Sequence, residues 1–170
     1  ILTLLLTFQW STVSAESTFR DMDKAPWAEE EVEYLSEHGI INGYGNGYFG
    51  PKDPITRAQA AMMLVNDLYP NETAEESPDF DDLSKDSIYY EAISVAAEKG
   101  LVSGYPDGTF RGSEDITRAE ASFMIDQAYG MEGENDPSTF HDLQDHWAKE
   151  SIEDLSSLNI INGYEDGSFK

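Results

Sequence analysis

Two of the chain's four arginines, Arg57 and Arg118, stand 61 residues apart in the same setting, each third in an Ile-Thr-Arg-Ala stretch. Thr56 with Gln59 and Thr117 with Glu120 make the capping-box pattern that opens a helix. Each guanidinium therefore falls in a first helical turn, where a cation opposes the positive end of the macrodipole. An anion would offset the mismatch, because free helical N–H groups and a planar fork together receive a carboxylate or a phosphate. An ion pair with an Asp of a neighbouring segment, such as Asp82 or Asp142, would offset it as well. Both readings stay open on the residues alone.

Other side chains recur at the same period and admit fewer kinds of chemistry. Asp21, Asp82 and Asp142 each precede a helical stretch, where a carboxylate satisfies free donors, so capping is expected and ligation is the alternative. Trp27 and Trp147 could stack on a sugar ring, but the equivalent residue in the middle copy is Ile88, which favours packing. Tyr44, Tyr105 and Tyr164 are balanced between packing and lining a site. The Asn/Asp-Gly turns resemble calcium loops only superficially: with Gly47 as the sixth position, Tyr44 occupies the third, where an oxygen ligand is required. Thirty-four acidic residues allow carboxylate pairs to be drawn almost anywhere, so no glycosidase pair is credible. No nucleophile motif, metal site or cofactor site emerges, and His38, His141 and His146 read as surface residues.

The elements that must position these residues are written three times. Phe19, Asp21, Gly43, Tyr44, Gly47 and Phe49 return as Phe80, Asp82, Gly104, Tyr105, Gly108 and Phe110, and again as Phe140, Asp142, Gly163, Tyr164, Gly167 and Phe169. The three phenylalanines that open the copies are expected in the core. Within a copy, Trp27, Val32 and Leu35 predict a helix near 26–38, stopped by Gly39; Ile88, Ile93 and Ala96 predict its counterpart, stopped by Gly100. Trp147, Ile152 and Leu155 predict the third, stopped by Asn159, the ordinary substitute for Gly in a left-handed cap. A turn follows, with Pro106-Asp107-Gly108 its most explicit form. Second helices then start at Thr56 and Thr117, their apolar faces predicted through Ala60, Met63, Leu64 and Leu68, and through Ala121, Met124, Ile125 and Ala128. A helix–loop–helix unit this small cannot bury its own face, so the copies must pack on one another. The expected division is a repeat over 16–70, a connector over 71–79, a repeat over 80–130, a connector over 131–139 and an incomplete repeat over 140–170.

Residues 1–15 end in Val13-Ser14-Ala15 after an apolar run and read as part of a secretory leader, cleaved after Ala15. The apolar stretch is too short to span a bilayer, so no membrane contact is expected once it is removed. A net charge of −24 excludes the basic surface that nucleic-acid binding needs. The chain has no cysteine and so no disulfide.

Phe19-Arg20-Asp21, Trp27-Ala28, Gly39-Ile40-Ile41-Asn42-Gly43-Tyr44, Gly47, Phe49 and Ile55-Thr56-Arg57-Ala58-Gln59-Ala60 together resemble the S-layer homology repeat, over essentially all of the chain after the leader. That resemblance implies a mainly α fold, three repeats in a pseudo-threefold bundle with grooves between copies. It also implies non-covalent attachment of exported proteins to secondary cell-wall polysaccharide of Gram-positive-type bacteria, often through pyruvylated amino sugars. On the analogy Arg57 and Arg118 clamp the ketal carboxylate, while Gly43, Gly104, Tyr44 and Tyr105 line the groove. Ile88, and Leu101-Val102-Ser103 where the first copy has Ile-Ile-Asn, depart from the pattern, so at least one groove should be incomplete. The expected role is a secreted, wall- or S-layer-associated anchor rather than an enzyme. The alternatives are the anchor of an S-layer subunit or hydrolase whose activity lies beyond Lys170, or a protein-interaction repeat without a glycan.

Overall fold

A computed structural model describes residues 18–133 and 140–170. The leader expected over 1–15 and positions 134–139 of the second connector lie outside the described residues. Five α-helices carry the fold: α1 Glu29–Glu37, α2 Arg57–Leu68, α3 Tyr90–Glu98, α4 Arg118–Tyr129 and α5 Lys149–Ser157. Among the described residues there is no strand, only one isolated antiparallel bridge between Thr56 and Asp115. The chain is mainly α, as expected.

The first helix of each copy begins later than its sequence pattern predicts. Tight 3-10 turns over Met22–Lys24 and Pro26–Ala28 precede α1, because Pro26 closes a short turn and Ala28, at φ −109°, is not yet helical. The consequence corrects an expectation. Trp27, Ile88 and Trp147, read above as the first residues of buried faces, are 83%, 79% and 61% exposed. Each stands five residues before the real core residue, Val32, Ile93 or Ile152, and five residues at 3.6 per turn carry a side chain about 140° round a helix. The stops are as predicted: Gly39 and Gly100 sit at φ +72° and +73°, and Asn159 follows at +58°.

In α2 the predicted face is one residue out of register, whereas on α4 the predicted Met124 is indeed buried. Ala58, Ala61 and Val65 are the buried apolar residues of α2, while Ala60, Met63, Leu64 and Leu68 are half-buried on its flanks. Met124 and Ser122 are buried on α4, with Ala121, Ile125 and Ala128 half-buried. The reason lies in the partner. α2 packs on α3 of the following copy, and α4 on α5 of the next. Ala61 and Ala96, both wholly buried, let the backbones of α2 and α3 come close. The central core accordingly mixes copies, joining Ala58 and Val65 to Ile93, Leu101, Phe110 and Met124. A smaller core around Phe19, Val32 and Ile41 is covered by Met63 of α2, and a third around Phe140, Ile152 and Phe169 by Ala119 of α4. The opening phenylalanines are thus in the core, Phe19 and Phe140 fully and Phe80 partly. The same junction joins the first copy to the second and the second to the third, which is what a rotational bundle of repeats requires.

Candidate functional site: the clefts between copies

Each copy is closed on itself by its two ends, and this closure presents the loop that reaches the neighbouring copy. Asp21 accepts hydrogen bonds from the Phe49 and Gly50 amides at 2.8 and 3.0 Å. Asp82 does the same for Phe110 and Arg111 at 2.7 and 2.8 Å, and Asp142 for Phe169 and Lys170, each at 2.9 Å. Helix capping, expected for these carboxylates, is not their role: the side chain of Asp21 makes no capping hydrogen bond to the turn that follows it, only an ion pair with Lys24 at 3.9 Å. Above each clamp the phenylalanine pairs meet, Phe19 with Phe49, Phe80 with Phe110 and Phe140 with Phe169, at centroid distances of 5.5, 5.3 and 5.5 Å. Glycine is obligatory at positions 43 and 104 for the same reason. A Cβ at Gly43 would lie 2.7 Å from the Phe19 ring, and one at Gly104 2.6 Å from the Phe80 ring.

The second helix of one copy drives its arginine into the loop of the next. Arg57 is buried; its Nε donates to the Phe110 carbonyl at 3.0 Å and its Nη2 to the Ser103 carbonyl at 3.2 Å. Its Nη1 pairs with Glu120 Oε1 at 2.9 Å, and its guanidinium lies over the Tyr105 and Phe110 rings at 5.0 and 4.8 Å. An internal acid therefore answers Arg57, but it is Glu120 rather than Asp82 or Asp142, both of which are engaged by backbone amides. Three of its five N–H groups are engaged, leaving two.

Arg118 repeats the geometry one junction on. Its Nη2 donates to the Asn162 carbonyl at 2.6 Å, and the guanidinium lies over Tyr164 and Phe169 at 5.1 and 4.4 Å. Unlike Arg57 it is exposed, and among the described residues no carboxylate pairs with it.

Glu120 is the hub that the sequence pattern conceals. Its Oε2 accepts from the Thr117 amide and hydroxyl, completing the capping box, while its Oε1 accepts from Arg57 and from the Tyr105 hydroxyl. Burial pushes the carboxyl upward, yet the Tyr105 hydroxyl, Thr117 and Arg57 together outweigh burial and hold it below the ordinary range. The bond to Glu120, with burial second, raises the Tyr105 hydroxyl. In the first copy Gln59 closes the box equally well without a charge, and Tyr44 turns to Asp53 at 3.1 Å. That difference was readable: the same cap needs only an oxygen, so the charge at Glu120 must serve something else.

These groups open onto a cleft of about 380 Å³ shared by all three copies, lined by Arg57 from the first, Ser103, Tyr105, Glu120 and Phe123 from the second, and Trp147 from the third. Gly104 also lines it; Trp27 and Asp21 do not. A second inter-copy cleft, about 490 Å³, runs past Thr56, Gln59 and Asp82.

The acidic turns make stability pH-dependent. The Thr109 hydroxyl, then Arg111, lower Asp107 to about 2, and the Ser168 hydroxyl and amide, then Lys170, lower Asp166 to about 2. Asp21 is lowered chiefly by the Phe49 amide, and Asp142 by the amides of Lys170 and Phe169. A carboxylate whose folded pKa is depressed contributes above its unfolded value, near 4, and loses that contribution as pH falls through the folded value. The melting temperature, followed by circular dichroism, should therefore fall between about pH 4 and pH 2. A melting temperature that keeps rising below pH 4 would show that relief of acidic repulsion outweighs these bonds.

Residues 18–61, 79–122 and 139–170 match the S-layer homology domain. The chain is 38% identical over 148 residues to cell surface glycoprotein 1 of Acetivibrio thermocellus, covering 79% of the chain and 6% of that protein. It is 34% identical over 156 residues to the surface-layer 125 kDa protein of Lysinibacillus sphaericus, covering 90% and 13%. The cellulosome-anchoring protein of Acetivibrio thermocellus is 35% identical over 143 residues, covering 79% and 32%. The chain thus spans a minor part of each relative.

Proposed function

This chain belongs to the S-layer homology domain family, and from that membership we propose that it anchors an exported protein non-covalently to the bacterial cell wall. The names of the relatives, surface-layer and cellulosome-anchoring among them, support this reading. The ligand is a secondary cell-wall polysaccharide held between copies, its acidic substituents of the pyruvyl-ketal kind. Catalysis, where the full protein has any, resides outside this stretch.

One observation carries the ligand class: the guanidinium of Arg118 stands exposed at the copy junction, one donor engaged by Asn162 and flanked by the Tyr164 and Phe169 rings. A fork held by a carbonyl and two aromatic faces is oriented before the anion arrives, which lowers the cost of binding a carboxylate. It also explains how a chain of net charge −24 holds an acidic polymer, since the contact is local and the remaining repulsion is screened by salt. Arg57 then holds the cleft in shape, with Gly104 and Tyr105 on its wall and Gly43 and Tyr44 in the corresponding groove of the first copy.

The test is sedimentation with sacculi that retain their polysaccharide. The chain should pellet with them, remain in solution with stripped peptidoglycan, and lose binding when pyruvyl groups are removed. Arg118→Ala should weaken pelleting by about tenfold or more while the helical signal and melting temperature hold. Equal pelleting with stripped peptidoglycan would refute the ligand assignment.

A further inference from the structure

Three Asn-Gly pairs occur in the chain, Asn42-Gly43, Asn46-Gly47 and Asn162-Gly163. At such a pair the backbone nitrogen of the glycine can reach the side-chain Cγ of the asparagine, because no Cβ stands in its way. The fold sets Asn46-Gly47 apart from the other two. A Cβ on Gly43 would lie 2.7 Å from the Phe19 ring, one on Gly163 would overlap the Phe140 ring, and the Asn162 carbonyl is held by Arg118. Those two backbones cannot rearrange without moving a buried phenylalanine. Asn46 instead stands exposed in the turn of the first copy, next to Gly45, where a Cβ would meet nothing within 4 Å.

Within this turn the reacting groups are already arranged. Gly45, at φ +75°, stands where the other copies have Pro106 and Glu165. In those copies the amides of Gly108 and Gly167 donate to the Tyr105 and Tyr164 carbonyls, each at 3.0 Å, whereas the Gly47 amide has no such acceptor among the described residues. The attacking nitrogen is thus unheld. The Tyr48 amide donates to Asn46 Oδ1 at 3.2 Å, which polarises Cγ and keeps a donor in place for the oxyanion that forms there. The fold also accommodates the product. The residues equivalent to Asn46 are Asp107 and Asp166, whose Oδ1 atoms accept from the Thr109 and Ser168 amides at 3.1 and 3.0 Å, the bond that Asn46 itself makes. Each has a cation beside it, Arg111 at 2.8 Å and Lys170 at 3.1 Å. Gly50 replaces that cation in the first copy, but Arg20 lies across the turn from the other side. Its Nε would be 3.3 Å from a Cβ on Gly47, and among the described residues no carboxylate pairs with it.

We propose that Asn46 is a site of spontaneous deamidation, ageing to a carboxylate that pairs with Arg20 and gives the first copy the acidic turn that the other two carry from the outset. Hydroxide takes the proton of the Gly47 amide, and the nitrogen bonds to Asn46 Cγ. The Cγ–Nδ2 bond breaks, Nδ2 leaves as ammonia with a proton from water, and a succinimide remains. Water then opens the ring, so the step needs no other reactant. Cleavage of the new Cγ–N bond leaves aspartate in an unaltered backbone. Cleavage of the original C–N bond leaves isoaspartate, whose backbone is one methylene longer. That branch displaces the Gly47 carbonyl from the Arg20 amide, which donates to it at 2.9 Å, and so loosens the closure of the first copy. The inference is independent of the glycan reading above.

Tandem mass spectrometry tests it on the whole chain incubated at mildly alkaline pH, folded and in concentrated urea, by following the exchange of amide for carboxyl at each asparagine. In the folded chain Asn46 should react about tenfold or more faster than Asn42 and Asn162, whose backbones are held out of the attack geometry. In urea the three rates should converge, because only the shared dipeptide then counts. Equal rates in the folded chain, or an Asn46 that keeps its amide there while the unfolded chain loses it, would overturn the site. The pairing has its own test in a double-mutant cycle. Asn46→Asp, which presents the product directly, should melt no lower than the parent at neutral pH, and Arg20→Gln should lower its melting temperature more than that of the parent. A lower melting temperature for Asn46→Asp, or equal falls on Arg20→Gln, would overturn the pairing.

Discussion

Replacing Arg57 by Ala lowers the unfolding free energy by about 3–5 kcal/mol, the cost of breaking a buried ion pair by removing one partner. The substitution removes three hydrogen bonds and the ring contacts, and it leaves Glu120 half-buried with its charge unanswered. Ser103 and Phe110 lose the donor that ties their carbonyls to α2, so the junction between the first and second copies loosens as a unit. Lys in its place restores the charge but not the fork, and recovers only part of the loss. The informative comparison is the double variant Arg57→Met with Glu120→Gln. Gln59 shows that the capping box closes without a charge, so removing both ions should return much of the stability that the single variant loses. Urea titration reads each midpoint and slope. A single variant with the parental midpoint would mean that the guanidinium is not a structural knot and is free to serve a ligand alone.

Much of this architecture is legible in local patterns, and what is not legible is long-range. Capping boxes at Thr56 and Thr117, left-handed stops at Gly39, Gly100 and Asn159, and the buried phenylalanines each depend on residues within a few positions or on a repeated type, so sequence suffices for them. The clamps of Asp21, Asp82 and Asp142 reach about 28 residues along the chain to backbone amides, and an amide has no residue identity to betray it. Glu120 lies 63 residues from Arg57, hidden inside a capping box whose local role already explained it. The Trp positions could have been placed correctly: the five-residue step to Val32, Ile93 and Ile152 is out of phase with a helical face. The one-residue shift on α2 could not, because its face is chosen by α3 of the following copy.

Phe110→Ala is the other change with a large expected effect, about 3–5 kcal/mol. The ring is almost fully buried in the central core, pairs with Phe80, and lies beneath the Arg57 guanidinium. Its amide is held by Asp82 and its carbonyl by Arg57, so the residue joins the closure of its own copy to the junction with the preceding one. Phe49 is the equivalent residue in the first copy, with the same amide clamp and the same partner ring, but it is only half-buried and no guanidinium is found over it among the described residues. If the phenylalanine served only its own loop, both truncations would cost alike. Because Phe110 also carries the junction, Phe49→Ala should cost about 1–2 kcal/mol, close to the transfer term alone, and Phe110→Ala at least twice that. Equal urea midpoints for the two variants would place the stability of this chain within its copies rather than between them, and the clefts would then have no rigid frame.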